Sequence, residues 1–312
     1  MLSVATLTPI VAISCKGKEK ENKALTEDDI KLVAKSERVQ KLINDSYPVD
    51  FSDYKNVGKV FDKVVKQKVR DENGNIVEKS ISLWDLFNYA EGTISKLADG
   101  DTVRVRITNP PKPRGGTKFD IPEEISIRIP MIDTLEENTP SATPRERELA
   151  AMDSAYARTL LPVGTKVRVV AAEGWSSKSF NRFVAYVFFG ENFTRNFGIE
   201  MLAGGYTLAR LEGNDAFVFS NYLDTPAETA KSIRAYLLPY AAYAMNEGIL
   251  KKRGFYGAPT SFDGPYVLTK EYKDHGQSMV DNSLPILHPK LWEKPSLANE
   301  KNNIYKVLEL KK

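Results

Sequence analysis

The sequence predicts an α+β protein with an all-β core: a five-stranded OB-type barrel carrying three helices, preceded by an N-terminal helix and hairpin. Three observations lead there. Five short runs between residues 93 and 189 alternate apolar and polar side chains at period 2, the mark of half-buried strands. A run of helix formers stands between the third and fourth of them, and a helix inserted at that point is the layout of an OB-type barrel. The chain has 312 residues, 42% hydrophobic and 27% charged, enough for a large core and far from the composition of a collagen, a coiled coil or a wholly disordered chain.

Residues 1–15 form the first segment, and the run before Cys15 carries no charge. As a helix it would reach roughly 21 Å at about 1.5 Å per residue, short of the hydrocarbon core of a bilayer, so it reads as the apolar region of a signal peptide. Its end, Ala12-Ile13-Ser14-Cys15, resembles the lipobox of bacterial lipoproteins. The resemblance implies a lipid on Cys15 and a place on the outer face of the cell membrane. Residues 16–25 are highly charged and suit a solvated tether.

Residues 26–90 form an N-terminal extension. Thr26 with Asp29 three residues on is a capping box, and Ile30, Val33, Ala34, Leu42 and Ile43 follow at helical spacing, which predicts one helix over 27–44. Asn73-Gly74 between the runs 64–69 and 76–77 predicts a hairpin. The barrel strands are expected at 93–97, 102–107, 125–129, 166–170 and 182–189, with helices at 145–157, 198–203 and from Thr225-Pro226 toward Gly248. After Gly257 the chain becomes rich in Pro, Asn and Lys, which predicts a tail over 258–312.

Composition narrows the chemistry. One Cys excludes an intramolecular disulfide and a Cys-based zinc site, and two His, His275 and His288, leave no room for a multi-His metal centre. What remains is carboxylate and arginine chemistry. Net charge is only +3, so no broad basic footprint for duplex DNA exists. Two acidic clusters stand out, Asp99-Gly100-Asp101-Thr102 between the first two strands and Asp133-Thr134-Leu135-Glu136 after the third. Taken alone, the first is a hairpin turn, and Arg128 and Arg182 are surface arginines or cross-strand ion pairs.

Taken together, in this order and spacing, residues 91–257 resemble the staphylococcal nuclease (thermonuclease) family. The matching motifs are Asp99-Gly100-Asp101-Thr102, Arg128 five residues before Asp133-Thr134-Leu135-Glu136, and Phe180-Asn181-Arg182 entering the fifth strand. Ser154-Ala155-Tyr156 is similar to the start of that family's first helix, and Lys251-Lys252-Arg253-Gly254-Phe255-Tyr256 to its basic, aromatic end. With the lipobox, the whole resembles membrane-anchored nucleases of wall-less bacteria. The chain departs from the pattern at Leu135, where the family has proline, at Phe180, where it has tyrosine, and in two inserted stretches, 109–118 and 211–224.

The resemblance implies a metal-dependent phosphodiesterase acting on DNA and RNA with little sequence preference. It implies that Asp101, Asp133 and the Thr134 carbonyl hold Ca2+, with Mg2+ as the alternative ion. Glu136 would act on the attacking water, Arg128 and Arg182 would clamp the phosphate, and Lys178 and Phe180 would touch the substrate. Guanidinium forks and a divalent ion suit the charge that gathers at phosphorus, and hard oxygen ligands on loop ends suit calcium. The basic 109–118 loop is a candidate backbone contact. No protein partner is implied, so a monomer is expected. The rival class is a non-catalytic OB-type module that binds nucleic acid or protein.

Overall fold

The structure, a computed structural model, describes residues 24–47, 50–70, 74–113, 119–211, 219–221, 223, 232–273, 279–293 and 302–309. Cys15, most of the tether, residues 114–118, most of 211–224, the Thr225-Pro226 helix start and His275 lie outside them. No helix of the described residues is long and apolar enough to cross a membrane.

The N-terminal extension does not hold one helix over 27–44. It holds two, α1 (Glu27–Ile30), closed by the Thr26/Asp29 capping box, and α2 (Glu37–Ser46), capped by Ser36. The link between them is not helical because its groups are used elsewhere: Leu32 and Ala34 are buried, and the Lys35 amide donates to the Leu308 carbonyl 3.2 Å away. A 3₁₀ segment (Tyr54–Asp62) leads to the expected hairpin, β1 (Val64–Arg70) antiparallel to β2 (Ile76–Ser82), and then to α3 (Leu83–Phe87).

The central sheet begins with β3 (Ala90–Leu97) and β4 (Thr102–Asn109), followed by β5 (Glu124–Arg128) and a short β6 (Met131–Asp133). Helix α4 (Pro144–Leu160) separates these from β7 (Lys166–Ala171), β8 (Lys178–Ser179) and β9 (Arg182–Phe189). β3 pairs with β4, β4 with β5, β5 with β9 in parallel, β9 with β7, and β7 with β3 again. The circuit of five strands therefore returns to its start, compatible with a β-barrel-like core inside a mixed α+β molecule. Alternation drives it: Val103, Val105, Ile125, Ile127, Val167 and Val169 are all buried while Arg104, Arg106 and Glu124 face water.

β9 is buried on both faces from Ala185 to Phe189. The reason lies in the N-terminal extension, which packs Phe61 and Trp84 onto Phe188 at ring separations of 5.1 and 5.0 Å. Arg168 is sandwiched there among Trp84, Tyr89 and Phe193 and is paired with Glu91 at 2.8 Å. Residues 26–90 are thus built into the core.

β10 (Arg195–Asn196), α5 (Phe197–Ala203), β11 (Leu208–Arg210) and α6 (Ile233–Leu250) complete the central unit. The helix expected over 145–157 is α4, begun by Thr143 with Pro144 at the first position, and Ser154-Ala155-Tyr156 stands in its C-terminal half. The expected tail is a correction too. Residues 265–309 carry α7 (Pro265–Leu268), α8 (Met279–Ser283) and α9 (Ile304–Glu309), and they bury Leu268, Tyr272, Ile286, Leu287, Ile304 and Leu308 in the same hydrophobic cluster as the barrel. Buried Asn246 of α6 fixes them, donating to the Ile286 carbonyl at 2.8 Å and accepting from the His288 amide at 2.9 Å.

Candidate active site

Strand register brings the charged residues together. Thr102 faces Arg128 across β4 and β5, and Arg128 faces Val184 across the parallel β5–β9 pair, so Asp101, Arg128 and Arg182 meet at one end of the barrel. Phe180 and Asn181, the two residues between β8 and β9, both have positive φ, 48° and 65°, as a tight two-residue turn requires. Positive φ is uncommon for a bulky residue, and this turn holds Phe180 93% exposed on the rim of the site.

A chain of hydrogen bonds links the set. Arg182 Nη1 donates to Thr102 Oγ1 at 3.0 Å, which donates to Asp101 Oδ1 at 3.0 Å. Arg128 bridges both acids, with Nη1 on Asp101 at 2.8 Å and Nη2 on Asp133 Oδ1. The second oxygen of Asp133 takes Arg210 Nη1 at 3.1 Å. Asp101 and Asp133 are buried, and only 14% of the Arg128 side chain is accessible. Burial pushes the Asp101 carboxyl well above its usual range, against the pull of Arg128 and with the help of neighbouring Asp99 and Asp133.

Behind these residues sits an acid that sequence reasoning missed. Asp153 of α4 is fully buried; its Oδ2 accepts the Leu135 amide at 3.2 Å, and burial pushes its carboxyl upward as well. Leu135 therefore does what a proline could not, since proline has no N–H to donate. Gly100 is needed for the same packing, because a Cβ there would lie 2.5 Å from Asp153 Oδ1.

The Asp133 carbonyl is held by Thr207 Oγ1 at 2.7 Å and by the buried Tyr272 hydroxyl at 3.1 Å. That hydroxyl accepts in turn from the Leu208 amide at 3.2 Å. Ser283 Oγ donates to the Ala209 carbonyl at 2.8 Å, so the C-terminal helices brace β11 against β6 directly beneath the acids.

In front lies an open cleft of about 900 Å³. Arg128, Arg182, Glu136 and Phe180 line it, as do two arginines not singled out in the sequence, Arg210 on β11 and Arg234 at the start of α6. Glu136 is half-buried and accepts from Thr139 Oγ1 at 3.1 Å. Lys178 is not among the lining residues; it is exposed on β8 with Nζ 4.6 Å from the centre of the Phe183 ring. Thr134 is buried, and its amide donates to Asp101 Oδ2 at 3.4 Å.

The buried carboxylates of Asp101 and Asp133 are the hard oxygen donors of the site, and both are already paired, Asp101 with Arg128 and Asp133 with Arg128 and Arg210. Among the described residues no group of three or more His, Cys, Asp or Glu side chains converges as a metal centre, so two carboxylates would need a carbonyl and water to complete a shell. No protein-family model and no curated protein matches the chain.

Proposed function

We propose that the protein is a calcium-dependent nuclease that hydrolyses phosphodiester bonds of DNA and RNA with low sequence specificity. The observation that carries this reading is the meeting of Arg128, Arg182 and Glu136 on one open cleft directly over buried Asp101 and Asp133. The closed circuit of five strands, with α4 between the third and the fourth, supports the OB-type barrel that the resemblance to thermonucleases implies.

In this reading Asp101, Asp133 and the Thr134 carbonyl hold the ion, which supplies positive charge and polarises oxygen at the phosphate. Arg128 and Arg182 orient the phosphodiester and stabilise the charge that develops on its equatorial oxygens, in a site where the donors are already in place. Glu136, kept in position by Thr139, takes the proton of the attacking water. Phe180 offers an exposed ring on which a base can stack. The segment 91–257 carries 21 basic and 20 acidic residues, so affinity comes from the cleft and not from a field over the whole surface.

We also propose attachment to the outer membrane face through a lipid on Cys15; Cys15→Ser should move the protein out of the detergent phase, and unchanged partitioning would dispose of the anchor. The nuclease reading is tested by following cleavage of single-stranded DNA and RNA by the purified protein, with calcium and with a chelator. Cleavage abolished by the chelator is expected. Binding of the strand without cleavage at any calcium concentration would assign the cleft to a non-catalytic binding module.

A further inference from the structure

Glu136 stands beyond Asp133, the last residue of β6, on a link without regular structure that runs to the Thr143 cap of α4. The covalent chain alone leaves that link slack. Residues 136–143 can extend about 27 Å at roughly 3.4 Å each, whereas residues 144–153 of α4 rise only about 15 Å.

Hydrogen bonds take up the slack on both sides of Glu136. Before it, the Leu135 amide donates to Asp153 Oδ2 of α4 at 3.2 Å, and the Leu135 side chain is buried. After it, the Thr139 carbonyl accepts the Ala142 amide at 3.1 Å beside the helix cap, and Thr139 Oγ1 donates to Glu136 at 3.1 Å. Asp153 touches the other acidic motif as well, because a Cβ on Gly100 would lie 2.5 Å from its Oδ1. Its side chain therefore stands between the turn that carries Asp101 and the link that carries Glu136. Burying a carboxyl is costly, and a helix that needed only packing at this point would carry an apolar residue, as α4 does at Leu149, Ala150 and Ala157.

We infer that Asp153 is a positioning residue, which through the Leu135 amide holds Glu136 in a fixed place relative to Asp101. The inference rests on the nuclease reading and adds to it a group that touches neither substrate nor ion.

The test measures kcat and KM on an oligothymidylate for the unaltered protein and for Asp153→Ala and Asp153→Asn, each alone and combined with Glu136→Gln. Asp153→Ala is expected to lower kcat by on the order of 10² with KM little changed, since a displacement of about 1 Å can cost that much. Asp153→Asn keeps an oxygen acceptor for the Leu135 amide and should retain about a third of the rate or more. Where Glu136→Gln has already removed the base, Asp153→Ala should change the rate by less than about threefold. An equal loss in both backgrounds, a loss as large in Asp153→Asn, or restoration by raised calcium overturns the inference, the last because it would place the effect on the ion's ligands. Hydrogen exchange supplies a readout that needs no cleavage. The Leu135 amide should exchange as slowly as core amides, and Asp153→Ala should speed exchange at 134–139 while β3, β4 and β9 keep their rates. Fast exchange at Leu135 in the unaltered protein overturns the inference even if the alanine variant does not fold, and so does a uniform change in a folded variant. Should the unaltered protein cleave no strand while exchange behaves as expected, the nuclease reading fails and the hold of Asp153 on the link stands.

Discussion

At the scale of residues, Arg128 and Arg182 do similar chemistry from different settings. Loss of either donor from a developing oxyanion costs on the order of 10² in rate, so Arg128→Ala and Arg182→Ala should both slow strand cleavage by that much or more. Their stabilities should part. Arg182 is half-buried and gives one hydrogen bond to Thr102, so its alanine variant should melt near the unaltered protein. Arg128 lies between two buried carboxylates, and its removal leaves Asp101 without its cation and Asp133 with Arg210, a loss of about 3–5 kcal/mol visible in urea unfolding. Equal melting of the two variants would contradict the bridge. Asp101 and Glu136 should also fail differently. Asp101→Asn removes a charged oxygen from the proposed ion shell, so raised calcium should restore part of the rate. Glu136→Gln removes a base and keeps the shape, so the loss should resist calcium and shrink at high pH, where hydroxide replaces activated water. Calcium rescue of Glu136→Gln would place that side chain among the ion's ligands. These residues were legible in the sequence because each lies in a short motif of acid, glycine and arginine. Asp153, Arg210 and Arg234 were not, since they reach the site from other elements and each alone looks like any helix or strand residue.

At the scale of elements, local punctuation set the barrel. Strand bounds read from alternation fell within a few residues of β3, β4, β5, β7 and β9, and the Thr26/Asp29 box begins a helix as expected. That helix ends at Ile30, with Lys31 extended, because tertiary contacts invisible to periodicity use the residues that follow, Leu32 and Ala34 in the core and the Lys35 amide on the Leu308 carbonyl. The 3₁₀ segment is joined to the barrel by a similar close approach. Gly58 donates to the Thr194 carbonyl at 2.7 Å, and a Cβ on it would fall 2.2 Å from the Phe193 carbonyl oxygen. Gly58→Ala must therefore push backbone away from backbone. It should cost about 1–3 kcal/mol, with Tm lowered by several degrees and the change in hydrogen exchange concentrated at 54–62 and 191–196. Exchange unchanged in those stretches would show that the contact holds nothing.

At the scale of the whole molecule, composition misled: a segment rich in Pro, Asn and Lys reads as a tail, yet it buries Leu268, Tyr272, Ile286 and Leu287, its backbone is fastened to Asn246 of α6, and the side chains of Tyr305 and Lys290 reach Ile30 and Asp29 of α1. His288 reports on that fastening. Its ring packs edge-on to Tyr305 at 4.8 Å, Nδ1 accepts the Lys290 amide, and burial holds its pKa down at about 4, with Asp29 and Glu309 opposing and Lys290 and Lys306 assisting. The sign follows. A base that is harder to protonate folded than unfolded stabilises the fold above its unfolded pKa of about 6.5, and that contribution fades as pH falls toward 4. Urea midpoints should drop across that window, and His288→Asn, which keeps a capping acceptor and cannot titrate, should flatten the drop. An identical slope in the variant would assign it to other groups.

The bond from Tyr272 to the Asp133 carbonyl spans 139 residues of chain. On a ribosome adding about 5–20 residues per second, the brace follows the acid it supports by roughly 7–28 seconds. A nascent chain that already displays Arg128, Asp133 and Glu136 has β6 without its buttress throughout that interval. The cleft is thus a property of the finished polypeptide, and a ribosome stalled before residue 272 would carry the residues of the site but not its architecture.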